Sequence, residues 1–406
     1  MKRIIFILFI LTATVIFSKE IMITNEPEFI EGMAIIKNEK GKYGLINERG
    51  ELVAKPKYDF IAAIQNGYVW CRINNKSGYI DRNGREIAVK YEEVIPFSDG
   101  MGGVMRRING KARYGFINEK GEEIIKLIYE DIGCFEDGYA NVKKGGKWGY
   151  IDKSGKNLTG FIYEEALSFQ EGMANVKKND KWGFINKTGK EVVPCIYSSY
   201  GYFKEGVKPV YYYGKTGVID KSGNVVIPFI YEGIDDFKNG YAGAKKNGRY
   251  LCIDKTGKEY PEYYQYLSEG KAKIEIAGKY GYIDKTGNIV IKPIYENAEE
   301  FCEGKAVVEL NGKYGYIDAV GNMIIKNKYE YAKNFNNGVA IVMSDKKYGL
   351  INAKGEEIIK PIYENIREFK NGYAFIINKG KIGIIDKAGN IKWIGKYQFI
   401  GDEYSG

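Results

Sequence analysis

The chain has 406 residues, with 61 lysines and arginines against 52 aspartates and glutamates, and it contains no histidine. The lack of histidine excludes histidine-dependent catalytic triads, histidine-ligated zinc and the usual general base at neutral pH. The net charge of +9 is small for this length, and the lysines are spread along the chain, which argues against a nucleic-acid-binding surface.

Residues 1–18 have the pattern of a signal peptide. Lys2 and Arg3 precede an uncharged run from Ile4 to Phe17, and Ser18 is a small residue where a signal peptidase could cut. This run is too short to cross a bilayer comfortably. We therefore expect an exported protein that is periplasmic, cell-surface or secreted, with membrane contact only if the segment stays uncleaved. Residues 19–28 form a lead-in segment.

Residues 29–392 consist of about eleven copies of one unit, of which Lys181–Gly189 is the clearest piece. A central glycine recurs mostly every 34 residues, and Leu251 stands where one more copy would have it. The glycines are Gly44, Gly78, Gly115, Gly149, Gly183, Gly217, Gly281, Gly315, Gly349 and Gly383. We interpret the glycine in this strand as structural, because it lets a neighbouring aromatic ring or backbone come close. A fixed period of this length predicts a repeat array, in which each unit buries its apolar face against its neighbours.

Each unit has the pattern of an antiparallel β-meander. Ala140–Lys144 and Trp148–Asp152 alternate between residue classes with a period of two, which predicts half-buried strands. Asn311-Gly312 fits a two-residue hairpin turn, and Asp284–Gly287 fits a turn that ends in a glycine with positive φ. A third strand follows, and the connecting segment could supply a short fourth strand. Such short strands are not stable alone, so the units must stack.

Three units depart from the pattern. The third has three extra residues near 106–111, which we place in the hairpin loop. The sixth has Thr216 where other units carry an aromatic ring, and it contains Tyr211-Tyr212-Tyr213. The seventh has Leu251 and then loses four residues around 259–265, so a kink or boundary of the array is expected there.

The predicted fold is all-β, a tandem array of about eleven 34-residue meander repeats that is open and superhelical or solenoid-like. Eleven units exceed the four to eight blades of a usual propeller, which favours the open array. A propeller-like ring, or two partial rings split near Leu251, is the alternative. Residues 393–406 contain no further repeat glycine and are predicted to cap the last sheet.

The recurrent acids are interpreted as turn formers, because asparagine takes their place in sister units. The set is Asp81, Asp152, Asp220, Asp254, Asp284, Asp318 and Asp386, with Asn47, Asn118, Asn186 and Asn352 at equivalent places. The turns lack the alternating acids of a calcium loop, and the five cysteines form no CxxC pair. We expect no metal, no cofactor and no catalytic residues.

The strongest candidates for binding are aromatic residues directly before the central glycine, namely Tyr114, Trp148, Trp182, Tyr280, Tyr314 and Tyr348. Burying one such ring contributes roughly 4 to 6 kcal/mol at about 25 cal/mol per Å². The rings could therefore form the core between units. Alternatively, the ladder is half exposed and stacks on sugar rings or docks a partner peptide.

The segments Lys147–Ile151 and Lys181–Ile185, with their closing glycines Gly155 and Gly189, resemble the bacterial WG-repeat family, also called KWG repeats. The resemblance covers about residues 29–398, although most units carry tyrosine or another residue in place of the tryptophan. It implies a β-rich repeat protein and, in many members, export to the envelope. It implies no settled activity.

The predicted function is that of an exported, non-enzymatic protein-interaction scaffold or binding surface in the cell envelope. The alternative is a cell-wall or surface-glycan binding protein that uses the aromatic ladder. The expected partner is a protein or an envelope polysaccharide, and not a nucleic acid.

Overall fold

The computed structural model describes residues 29–394 and 398–399, so the signal segment and the lead-in lie outside the described residues. Within that part of the chain, the strands form eleven antiparallel sheets of three or four strands each. We call these sheets blades 1 to 11 in chain order, and we call the strand positions across a complete blade a, b, c and d. The all-β prediction is confirmed.

The first four blades have these strands. Blade 1 contains β1 (Met33–Lys37), β2 (Tyr43–Asn47) and β3 (Leu52–Tyr58). Blade 2 contains β4 (Phe60–Gln65), β5 (Tyr68–Ile73), β6 (Lys76–Asp81) and β7 (Glu86–Tyr91). Blade 3 contains β8 (Glu93–Ser98), β9 (Met101–Ile108), β10 (Lys111–Asn118) and β11 (Glu123–Tyr129). Blade 4 contains β12 (Asp131–Ile132), β13 (Tyr139–Lys144) and β14 (Lys147–Asp152).

The next four blades include the irregular sixth and seventh units. Blade 5 contains β15 (Glu165–Gln170), β16 (Met173–Lys178), β17 (Lys181–Asn186) and β18 (Glu191–Tyr197). Blade 6 contains β19 (Val207–Tyr212), β20 (Lys215–Asp220) and β21 (Val225–Tyr231). Blade 7 contains β22 (Gly233–Ile234), β23 (Tyr241–Lys246), β24 (Arg249–Asp254) and β25 (Glu259–Tyr260). Blade 8 contains β26 (Lys271–Ile276), β27 (Lys279–Asp284) and β28 (Ile289–Tyr295).

The last three blades are regular. Blade 9 contains β29 (Asn297–Ala298), β30 (Lys305–Leu310), β31 (Lys313–Asp318) and β32 (Met323–Tyr329). Blade 10 contains β33 (Tyr331–Ala332), β34 (Val339–Ser344), β35 (Lys347–Asn352) and β36 (Glu357–Tyr363). Blade 11 contains β37 (Asn365–Ile366), β38 (Tyr373–Asn378), β39 (Lys381–Asp386) and β40 (Ile391–Ile394). The final strand, β41 (Gln398–Phe399), pairs with β1 in blade 1.

The turn between strands c and d is built as the sequence predicts. In blade 8, Asp284 Oδ1 accepts hydrogen bonds from the backbone N–H groups of Thr286, at 2.8 Å, and Asn288, at 3.1 Å. Gly287 closes the turn with a φ of +87°, a conformation that glycine adopts without strain. Asn186 makes the equivalent bonds in blade 5, which confirms that the recurrent Asp and Asn residues are turn formers.

The central glycine allows a close approach between strands c and d. A Cβ atom on Gly183 would lie 2.4 Å from the backbone oxygen of Val193 and 2.7 Å from the nitrogen of Cys195. Strand d carries a register shift opposite this glycine, between the pairs at Trp182 and Phe184. A side chain therefore cannot be accommodated there, which agrees with the predicted structural role of the glycine.

The hydrophobic core lies between consecutive blades. In one cluster, Tyr316 and Ile325 of blade 9 are buried together with Phe335 and Ala340 of blade 10. The Tyr316 and Phe335 ring centroids are 4.9 Å apart, and the Tyr316 hydroxyl donates a hydrogen bond to the Lys333 backbone oxygen at 2.8 Å. Each blade is thus stabilised by its neighbours, as expected for a repeat array.

The first and last blades pack against each other, so the array closes into an eleven-bladed, propeller-like ring. Phe29 and Phe375 are buried and stack with their ring centroids 4.5 Å apart. Lys392 Nζ donates a hydrogen bond to the Arg49 backbone oxygen at 2.6 Å. The ring that the sequence left as an alternative is therefore the observed arrangement, and the open array is not formed.

The irregular units do not split the ring. A 3-10 helix, Glu262–Tyr266, follows the shortened β25 and contacts both β23 of blade 7 and β26 of blade 8. The extra residues of the third unit lengthen the paired strands β9 and β10 instead of enlarging the hairpin loop, because pairing continues to Ile108 and Lys111. Of the predicted cap, residues 393–394 complete β40 in the last sheet and β41 joins the first sheet, while residues 395–397 and 400–406 lie outside the described residues.

Candidate functional site

The turns between strands a and b hold carboxylates that join consecutive blades. Glu205 accepts hydrogen bonds from the N–H groups of Asn239, at 2.6 Å, and Gly240, at 2.9 Å, in the same turn of the next blade. The Lys255 ammonium group, 2.9 Å from Glu205, is the main cause that lowers the pKa of this carboxyl. Acids making such bonds are Glu31, Asp99, Asp137, Glu171, Glu205, Glu269 and Glu303. We call these contacts the carboxylate latches.

A second set of acids caps the hairpins between strands b and c. Glu130 accepts hydrogen bonds from the N–H groups of Gly145 and Gly146, at 3.0 and 2.9 Å. The lysine at the start of strand c lies close to the equivalent acid of the next blade, with Lys147 Nζ of blade 4 lying 3.8 Å from Glu164 Oε1, which precedes strand a of blade 5. These acids and lysines hold turns in place, which leaves the aromatic residues as the candidates for binding.

The two tryptophans of the predicted ladder lie in the core. Trp148 is 2% exposed and Trp182 is 7% exposed, which is too little for a ring to stack on a ligand. Lys143 Nζ and Lys177 Nζ lie 5.9 Å from the centroids of Trp148 and Trp182, respectively. Of the two interpretations given for these aromatic residues, packing between blades therefore applies to Trp148 and Trp182.

The four predicted tyrosines, Tyr114, Tyr280, Tyr314 and Tyr348, are half-buried. Burial, reinforced by the nearby carboxyl groups of Glu93 and Asp131, raises the pKa of Tyr114 to about 12. The pKa of Tyr280 is raised mainly by a hydrogen bond to the Glu275 side chain. These two rings stay separate from Tyr314 and Tyr348, which lie near a common groove.

The groove runs along blades 9 and 10 and has a volume of about 430 Å³. Tyr314 and Tyr331 line it with their ring centroids 6.3 Å apart, and Tyr348 lies 6.5 Å beyond Tyr331. Asn297 and Glu368 are also part of the lining. The groove thus combines aromatic rings, an amide and a carboxylate within one concave surface.

A second aromatic region lies on blades 5 to 7. Its members are exposed by between 42% and 89%, and we call them the tyrosine surface: Tyr200, Tyr211, Tyr213 and Tyr250. Tyr211 and Tyr213 flank the end of β19, and Tyr250 lies near the start of β24. Tyr200 lies over Trp182, with a centroid distance of 5.3 Å. These rings occur in and beside the units whose sequence departs from the repeat.

Sequence reasoning missed most of these residues. Tyr331, Asn297 and Glu368 belong to the groove but were not candidates, and none of the tyrosine surface was. The Tyr211–Tyr213 run departs from the repeat, and this departure could have pointed to the tyrosine surface. Tyr331 stands where several other units begin strand a with an acid or an asparagine, a substitution that a unit-by-unit alignment reveals.

Two further properties bear on the kind of site. Among residues 29–394 and 398–399, no group of histidine, cysteine, aspartate and glutamate side chains could hold a metal ion. Within the same residues, no helix has the length and apolar character needed to cross a membrane.

Comparisons with solved structures return matches at low identity. The chain is 10% identical to a eukaryotic initiation factor over 92% of this chain and 97% of the other, with a TM-score of 0.36. It is 10% identical to PorZ, a surface component of the type-IX secretion system of Porphyromonas gingivalis, over 90% and 66% of the two chains, with a TM-score of 0.26. Against the tricorn protease, at 12% identity and a TM-score of 0.24, the match covers 82% of this chain but spans only 39% of the protease. Among curated proteins, none matches the sequence.

The repeat units themselves match one family model, the WG containing repeat. Nine matches cover residues 43–76, 78–111, 114–148, 148–182, 182–215, 217–250, 280–314, 314–348 and 348–381. The stretch from 251 to 279, which holds Leu251 and the 3-10 helix, is not matched. Because the matches cover well over half of the sequence, the chain belongs to the WG-repeat family.

Proposed function

We propose that this chain is an exported, non-enzymatic protein-interaction scaffold of the cell envelope that contacts its partner through the tyrosine surface. Export is inferred from the signal-peptide pattern of residues 1–18. A non-catalytic role is inferred from the lack of histidine and from the structural use of the recurrent acids in turns and latches. No cofactor or nucleic acid is part of this proposal.

The observation that carries the proposal is the conformation of Tyr213. This residue has a φ of +44° in a hairpin turn, yet its side chain is 89% exposed. A bulky residue in the left-handed region costs on the order of 1 kcal/mol or more. Asn247 and Asn311 occupy the same turn in other blades and tolerate this conformation better, although Ala277 and Lys379 adopt it too. The Tyr213 ring packs edge to face on Tyr212, with the centroids 4.4 Å apart, and leaves most of its surface for a partner to bury.

Exposed tyrosines suit a protein partner. Tyrosine supplies a large, amphipathic contact area with few torsions to immobilise, and it is enriched among residues that dominate binding energy. Tyr211, Tyr213 and Tyr250 are 42%, 89% and 65% exposed, so a partner could bury much of each ring.

Strand addition is a less suitable mode of contact. The d strands lie at sheet edges, where free backbone groups could pair with another chain. Several of them contain a proline, which lacks the N–H donor: Pro56, Pro194, Pro228, Pro293 and Pro361. The proposal therefore assigns partner contact to side chains.

Site-specific crosslinking in intact cells tests the proposal. A photoreactive phenylalanine analogue placed at residue 213 or 250 should form a discrete, protease-sensitive adduct. The same analogue at Val320 is the matched control, because this residue is 72% exposed in a turn of blade 9. No adduct at 213 or 250, or the same adducts at 320, would refute the tyrosine surface as the partner site.

Glycan binding remains the second candidate function, but with fewer of the aromatic residues that precede the central glycine. Trp148 and Trp182 are too buried to contact a sugar, so their replacement by alanine would test folding rather than binding. Tyr314 lies in the groove of blades 9 and 10 instead, so this part of the ladder offers a concave surface for a glycan.

A further inference from the structure

The groove on blades 9 and 10 is large enough for a small ligand and is independent of the tyrosine surface. Its volume of about 430 Å³ falls within the range of small-molecule sites in proteins. The lining includes the rings of Tyr314 and Tyr331 and the polar side chains of Asn297, Lys333 and Glu368.

The groove differs from the corresponding place in blades 4 and 5 in three respects. Strand b of blades 4 and 5 has Lys143 and Lys177 paired with the ring of strand c, whereas blades 9 and 10 have Glu309 and Met343 at this place. Strand a of blade 10 begins with Tyr331, which is 37% exposed. The ring before the central glycine is half-buried here, whereas it is buried in blades 4 and 5. These changes expose aromatic surface beside the groove.

The rings form a continuous arc across the blades. The centroids of Tyr314 and Tyr331 are 6.3 Å apart, those of Tyr331 and Tyr348 are 6.5 Å apart, and both pairs meet edge to face. Alternating edge-to-face rings present several ring surfaces at different angles along one line. An elongated ligand with repeated apolar faces fits this arrangement better than a single flat ring.

The polar groups around the arc match a hydroxylated ligand. Asn297 and Tyr314 both line the groove, so the amide and the ring face the same space. Lys333 Nζ donates to Glu368 Oε1 at 2.6 Å, and the Glu368 side chain remains 67% exposed. Amide, ammonium and carboxylate groups together supply donors and acceptors for hydroxyl groups. A sugar combines such hydroxyls with an apolar face.

The charges of the lining argue against a polyanion. Glu299 and Glu368 both line the groove, and Lys333 is paired with Glu368. A ligand that carries a carboxylate or phosphate on each unit would meet these acids without a free cation to bind it. Although the whole chain has a net charge of +9, the charged residues that line this groove are two acids and one lysine.

From these contacts we propose that the groove is a binding site for a short, neutral oligosaccharide, with Tyr314 and Tyr331 as the stacking rings and Asn297 and Glu368 as hydrogen-bonding groups. This proposal rests on the second candidate function, glycan binding, and specifies its ligand. It does not depend on the protein-scaffold function, since the two surfaces share no residue.

Isothermal titration calorimetry on the full mature chain tests this site. The probes are the tetramer of N-acetylglucosamine and cellotetraose as neutral ligands, a glucosamine tetramer as a cationic ligand and a galacturonate tetramer as an anionic ligand. Neutral tetramers should bind, and Tyr331→Ala should weaken their binding at least about tenfold, which corresponds to about 1.4 kcal/mol. Tyr331→Phe should keep most of the affinity, because the ring is retained.

Matched variants separate loss of the site from loss of the fold. Tyr43→Ala removes a half-buried ring outside the groove, at the place in blade 1 that Tyr314 takes in blade 9, and it should leave sugar affinity unchanged. Glu368→Gln changes an exposed side chain without removing volume, and it should weaken binding severalfold. The proposal is overturned if neutral tetramers do not bind, if a charged tetramer binds more tightly, or if Tyr331→Ala and Tyr43→Ala weaken binding equally.

Discussion

The central repeat glycine should be the most sensitive single position of a blade. In Gly183→Ala, the added Cβ would stand 2.4 Å from the Val193 backbone oxygen, well under the 3.0 Å that real Cβ contacts keep. Both partners are backbone, so neither can rotate out of the way. Strand β18 must shift outward, which weakens its pairing with β17 and its packing on the next blade.

The magnitude follows from overpacking of a dense core. Forcing extra volume into a well-packed site costs typically about 1 to 3 kcal/mol, and the lost pairing of β18 places this change at the upper end. Blade 7 shows the structural counterpart, because Leu251 stands at this place and β25 is reduced to Glu259–Tyr260. In blade 7, the side chain of Leu251 at the central position is thus accompanied by a strand d of only two residues.

Gly233→Ala is the matched control. Nothing lies within 4 Å of a Cβ built on Gly233, and its φ is not positive. Alanine there should be neutral or stabilise the chain by up to about 1 kcal/mol, since it restricts the unfolded chain. Urea unfolding and hydrogen exchange of the amides of β17 and β18 measure both variants. Equal stability of Gly183→Ala and Gly233→Ala would refute the close-approach argument.

Three further changes probe the latches, the ring closure and the surface pairs. The folded-state pKa of Glu205 is lowered, so its latch stabilises the fold above the unfolded-state pKa and loses this effect as the pH falls through the folded-state pKa. Glu205→Gln should therefore reduce stability at neutral pH and flatten the acid limb of a circular-dichroism pH titration; an unchanged acid limb would contradict the latch. Phe375→Ala removes a buried ring that stacks on Phe29 and should cost about 3 to 5 kcal/mol locally, with faster hydrogen exchange in β1 and β38 but not in blade 5. Lys147→Met breaks a solvent-accessible ion pair with Glu164 and should lower the free energy of unfolding, measured by urea unfolding, by less than about 1 kcal/mol. A larger loss would show that the pair contributes more than surface ion pairs usually do.

The local structure could be predicted because it depends on a few residues that act within their own unit. Asp284 and Gly287 determine the second turn through contacts within five residues, and these contacts are present. Gly183 was interpreted as a place of close approach, and the approach is observed. Because these turn residues and glycines recur from unit to unit, the local structure predicted for one unit applies to the others.

The groove could not be predicted in the same way because its residues come from different units. Asn297 and Tyr314 belong to blade 9, Tyr331 belongs to blade 10, and Glu368 lies in the unit of blade 11. Their proximity depends on the rotation from one blade to the next, which no pattern within a unit specifies. The same rotation decides that Trp148 is buried while Tyr314 is half-buried, although both stand before a central glycine.

Ring closure depends on the chain ends rather than on the repeat. An open array would leave one face of blade 1 and one face of blade 11 exposed, with Phe29, Ile36 and Phe375 in contact with water. Closing the ring buries both faces against each other, and β41 supplies the strand that blade 1 lacks at position a. The joint has Asn371 where most blades have a latch acid, and apolar packing and the bond from Lys392 to Arg49 act there. The contacts of the end segments therefore hold the eleven units in a closed ring.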